Sequence, residues 1–98
     1  MKQQEYMFTI GFSGNTAIVD GAAMKKYGNM GIDELVDRGL FKPALAAAFF
    51  AGDTEALNRV RDAYNNTAGT DFEGYEQIMR VFGLDPAPEN LEKVKVLS

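Results

Sequence analysis

From Glu5 to Phe12 the chain alternates: Tyr6, Phe8, Ile10 and Phe12 are apolar, with Met7, Thr9 and Gly11 between them. That two-residue period predicts a strand with those four side chains on one face. Ser13, Gly14 and Asn15 supply turn chemistry, and Thr16 to Val19 is a short, largely β-branched run. The two segments are expected to pair as an antiparallel hairpin.

Past Asp20 the period becomes helical. Ala22 to Tyr27 predicts a short helix ended by Gly28. Ile32 to Arg38 predicts another, with Ile32, Leu35 and Val36 on one face, Asp33, Glu34 and Asp37 elsewhere, and Gly39 suited to a left-handed stop. Pro43 fits a first helical turn, where its missing N–H costs nothing. Ala44 to Ala51 holds only Ala, Leu and Phe, so this helix is apolar on every side and is expected to be central and buried. Gly52 ends it. Asp53 is placed to cap the next helix, whose inner face is Ala56, Leu57, Val60, Ala63 and Tyr64.

Asn65 to Gly69 reads as a polar loop. Thr70 followed by Glu73 has the spacing of a capping box for a helix to about Phe82, with Phe72, Tyr75, Ile78, Met79 and Phe82 facing the core. Gly83 and Leu84 read as its C-terminal cap, and Asp85-Pro86 as the opening of a last helical turn through Leu91. Lys93 to Leu97 alternates lysine and valine, which suits an edge strand with its lysines outward, and equally a helical continuation or a frayed tail. The fold expected is α+β: one domain over residues 1–98, an N-terminal antiparallel hairpin packed on four or five short helices, with a third, C-terminal strand as an open alternative.

Composition narrows the chemistry more than the fold. Of 98 residues 46% are hydrophobic and 24% charged, the balance of a folded chain. There is no cysteine and no histidine. Thiolate metal sites, disulfides, Ser-His-Asp or Cys-His catalysis and the usual zinc sites are thereby excluded, and neither a cofactor nor an enzymatic activity is expected. The first residues lack a secretory pattern, and no stretch nears the roughly 18 apolar residues of a membrane span; a cytoplasmic protein without membrane contact is expected. A net charge of −4 repels phosphate backbones on average and disfavours nucleic acid as a partner.

The remaining motifs each have a plain explanation. Gly11 to Thr16 is rich in glycine and hydroxyls but lacks the Gly-Lys-Ser/Thr ending of a phosphate loop, and a hairpin turn accounts for it. Asp33, Glu34 and Asp37, with Asp20 nearby, offer hard oxygen ligands, yet without EF-hand spacing they read as a solvated face. Lys25, Lys26 and Tyr27 join an adjacent basic pair to an aromatic ring, as a phosphate and base contact would, but with Arg59, Arg61, Arg80 and the C-terminal lysines spread over different segments an ordinary solvated surface accounts for them. Asn65-Asn66-Thr67 matches a glycosylation sequon for which no secretory route is visible. The run Leu45, Ala48, Phe49, Gly52, Asp53, Glu55, Ala56, Leu57 and Val60 resembles the helix-turn-helix of an ankyrin-type repeat, with Pro43 displaced by one position. No second copy follows at the roughly 33-residue period, so it is read as a generic helical hairpin.

Aromatic residues are 11% of the chain, seven of them phenylalanine, more than one small core hides completely. An exposed remainder marks an interface. The expected function is therefore a small non-catalytic module that binds a protein partner or associates with itself. Its candidate surface is Phe8, Phe12, Lys25, Lys26, Tyr27, Phe49 and Phe50. A nucleic-acid-associated accessory protein and an enzyme built on carboxylates such as Asp33 and Asp37 are the alternatives.

Overall fold

In a computed structural model, which describes all 98 residues, the elements follow in the order α1 (Gln3–Met7), β1 (Thr9–Ser13), β2 (Thr16–Asp20), α2 (Gly21–Tyr27), α3 (Ile32–Asp37), α4 (Phe41–Ala51), α5 (Thr54–Ala68), α6 (Tyr75–Val81) and β3 (Lys93–Leu97). The fold is α+β, with six helices and one three-stranded sheet of order β1-β2-β3. The hairpin forms as expected: β1 and β2 run antiparallel around a turn whose Gly14 has φ 60°. The third strand forms too, parallel to β2, with Lys93 opposite Thr16 and Leu97 opposite Asp20. Asn15 clips its start to the hairpin turn, its carbonyl accepting from the N–H groups of Glu92 and Lys93 and its side-chain amide donating to Glu92.

The expected strand over Glu5–Phe12 is half helix. Tyr6, Met7 and Phe8 are all buried, and a one-faced strand cannot bury three consecutive side chains. A turn of helix can. It is held by the Glu5 carboxylate, which accepts from the Lys2 N–H at 2.7 Å, and by the Thr9 hydroxyl, which donates to the Glu5 carbonyl at 2.7 Å. In β1, Thr9 lies opposite Val19 and Gly11 opposite Ile18, so Ile10 is the extra residue of a β-bulge and has no partner. The bulge turns Ile10 away from the face it would share with Phe12.

Helix α4 is central, as its composition requires: Ala44 to Ala48 are all buried, and it packs against α1, α3 and α5. Gly52 ends it at φ 66°, and Asp53 caps α5 by accepting from the Ala56 N–H at 3.0 Å. The core is one cluster of 16 residues reaching from Tyr6 to Leu84.

The expectations for the C-terminal half need two further corrections. Helix α5 runs through the expected loop to Ala68, because Asn65 has work there: its side-chain oxygen accepts from Thr70 Oγ1 and the Phe72 N–H, and its amide donates to the Phe72 carbonyl. Thr70 is thus used on Asn65 and forms no capping box with Glu73. Helix α6 begins instead at Tyr75, where Gln77 Oε1 accepts from the N–H groups of Glu73 and Gly74. Gly83 and Leu84 cap α6 as expected, with the Leu84 N–H on the Met79 carbonyl at 2.8 Å. The segment after Asp85 is not helical.

Candidate functional site

The bulge in β1 separates two clefts that share Thr9, Ile10 and Lys42 as walls. The larger, about 280 Å³, is floored by Phe8, Tyr27, Leu40 and Pro43, with Asp20 at its margin. The smaller, about 110 Å³, is bounded by Tyr6, Phe12, Leu84 and Asp85. Between them Ile10 is 60% exposed, the most exposed of the large apolar side chains.

The larger cleft is mostly apolar and the smaller is mixed, and their polar groups are in defined states. The Asp20 carboxylate is occupied in capping α2, accepting from the Ala23 N–H at 3.1 Å. Tyr6 donates its hydroxyl to the Asp85 carbonyl at 2.9 Å. Burial, with a smaller contribution from the Asp85 charge, pushes the Tyr6 phenol up to about 12, so at neutral pH it is a neutral donor. Lys42 is half-buried and has neither an ion pair nor a side-chain hydrogen bond. The set offers apolar contact, one cation, two carboxylates and one fixed phenol.

The residues singled out from sequence fall into three groups. Phe8, Phe12 and Tyr27 meet at the walls of the two clefts. Phe8, however, is only 8% exposed and belongs to the core, so it reaches a surface solely as the floor of the larger cleft. Phe49 and Phe50 lie beyond Tyr6, with ring centroids 6.3 and 5.7 Å from its ring; Phe49 is half-buried and Phe50 is exposed. Lys25 and Lys26 stand exposed on α2, and the Lys26 ammonium lies 5.2 Å from the Tyr27 ring centroid. That face of Tyr27 is taken by the chain's own lysine, which leaves it less suited to stacking a base.

Two of the three carboxylates of α3 are in exposed ion pairs. Asp33 faces Arg59 at 3.6 Å and Glu34 faces Arg38 at 3.9 Å, and the structure gathers no cluster of three or more potential metal ligands. Neither cleft includes Asp33 or Asp37.

Comparisons with protein-family models, curated proteins and solved structures return no match for this chain. No helix is long and apolar enough to cross a membrane.

Three site residues escaped the sequence reading: Ile10, Tyr6 and Lys42. Only Lys42 left a signal. It is the lone charge in Phe41–Ala51 and sits in the first turn, where a cation opposes the helix dipole.

Proposed function

We propose that this chain is a small, non-catalytic protein-binding module whose contact face is the β1 bulge with its two flanking clefts. The observation that carries this reading is Ile10. A large apolar side chain is pushed outward by a bulge, between concavities that would receive neighbouring side chains of a partner, and bulges commonly re-aim a side chain in this way. Tyr6, Phe12 and Tyr27 supply the aromatic walls typical of interface centres.

The test is affinity capture on the purified chain from nuclease-treated lysate, alongside the mass of the chain in solution. The expected result is one stoichiometric protein, or a dimer mass, that is lost in Ile10→Glu. Because Ile10 is exposed and makes no ladder pair, the variant should keep its stability within about 0.5 kcal/mol. Retention unaffected by Ile10→Glu would move the contact off this face. A monomer that retains nothing would overturn the proposal.

A further inference from the structure

All three ion pairs are made by arginines, Arg38 with Glu34, Arg59 with Asp33 and Arg61 with Asp62. None of the lysines is paired, although the chain as a whole carries a charge of −4. Lys93 and Lys95 stand at alternate positions of β3, exposed, on the face of the sheet opposite Val94, which packs on the core.

The outer edge of β3 is open. Its strand pairs only with β2, and the Lys93 N–H donates to the Asn15 carbonyl at 3.1 Å. The alternation of a parallel ladder then turns the backbone groups of Lys93, Lys95 and Leu97 toward β2 and those of Val94 and Val96 outward. Val96 and Leu97 are 45% and 41% exposed.

Helix α2 begins where β3 ends. A Cβ on Gly21 would lie 2.7 Å from Val96 Cγ1 and overlap the Leu97 carbonyl, so this face of α2 abuts the end of β3. Lys25 is one turn further along the same face. Lys93 and Lys95 line one face of the open edge.

We propose that the β3 edge is a strand-addition site for an extended acidic segment of another protein, with carboxylates at alternate positions and β-branched residues between them. The outward backbone groups of Val94 and Val96 pair with the incoming strand, and Lys93 and Lys95 face its carboxylates across the ladder. Charge decides the occupant. A second copy of this chain, paired antiparallel about Val94 or Lys95, would set lysine opposite lysine, which disfavours self-addition. The inference shares the general protein-binding reading above but does not use the clefts, and Ile10→Glu leaves this edge intact, so the failure of either is distinguishable.

The test is an amide-resolved NMR titration of the 98-residue chain with a blocked hexapeptide of alternating glutamate and valine. Shifts and slowed hydrogen exchange are expected at Val94 and Val96. Binding should weaken with salt and fall about tenfold or more in the double variant Lys93→Glu, Lys95→Glu. The same peptide N-methylated at every residue, which cannot donate to the ladder in either strand orientation, should not bind. Ile10→Glu should bind as the parent does.

No response at β3, or shifts confined to the Ile10 clefts, would overturn the proposal. Protection of Val94 and Val96 that grows with protein concentration without peptide would assign the edge to a second copy and overturn it. A larger response to an oligothymidylate than to the peptide would do the same in favour of nucleic acid.

Discussion

Gly21 shows how much one residue can decide without belonging to any motif. It opens α2 directly after β2, and its missing Cβ is the space through which the end of β3 passes, between the Leu97 carbonyl and Val96 Cγ1. Its φ is ordinary, so the requirement is clearance and not backbone freedom. Gly21→Ala should cost about 1–3 kcal/mol, the usual range for overpacking, and urea unfolding would read it. Hydrogen exchange at Val96 and Leu97 should accelerate more than at Ala17 or Val19. Unchanged exchange would mean that β3 does not lie against α2. Asn65 is comparable: its side chain serves two donors and one acceptor in the turn after α5.

At the scale of elements, α4 organises the molecule because alanine lets neighbours approach closely. Ala44, Ala46 and Ala48 are fully buried where α1, α3 and α5 meet the helix, whereas Ala51 at its end is exposed. The same substitution at two of these positions separates packing from helix propensity. Ala46→Leu should destabilise by about 1–3 kcal/mol through overpacking. Ala51→Leu should stay within about 0.5 kcal/mol. Equal effects in chemical denaturation would contradict the central placement of α4. The short helices depend on this one: α1, α2 and α3 have 5, 7 and 6 residues, too few to persist alone in water. They are held by the apolar faces they place on their neighbours.

Across the whole molecule, the bond from the Tyr6 hydroxyl to the Asp85 carbonyl joins α1 to the segment after α6, and it gives stability a dependence on alkaline pH. The Tyr6 phenol is raised from 10.0 to about 12 in the fold, chiefly by burial. The folded state therefore holds its proton more tightly than the unfolded chain. Its contribution is complete below pH 10 and is lost as pH rises from 10 toward 12. Urea midpoints measured across that range should fall in the parent. In Tyr6→Phe they should fall less steeply, from a starting stability lower by about 1 kcal/mol for the lost hydrogen bond. Parallel pH curves for the two proteins would show that Tyr6 is not the group responsible.

Much of the local architecture was legible in the sequence because it depends on residues a few positions apart. The turn at Gly14, the stops at Gly39, Gly52 and Gly83 and the cap at Asp53 each follow from the backbone freedom or side-chain reach of one residue. The burial of α4 follows from an uninterrupted run of Ala, Leu and Phe. The absence of histidine and cysteine limited the available chemistry at the outset. What escaped was decided by distant contacts. Tyr6, Met7 and Phe8 read as part of an alternating strand until α4 offers them one surface to cover together. Ile10 reads as a core position until the register with β2 leaves it unpaired. Thr70 looks like a cap until Asn65 takes its hydroxyl, and β3 has no direction until Asn15 receives Glu92 and Lys93. The clefts around Ile10 and the lysine-lined edge of β3 arise the same way. Local propensity acts within a turn or two of chain, whereas a surface is assembled from segments that only the packed core brings together.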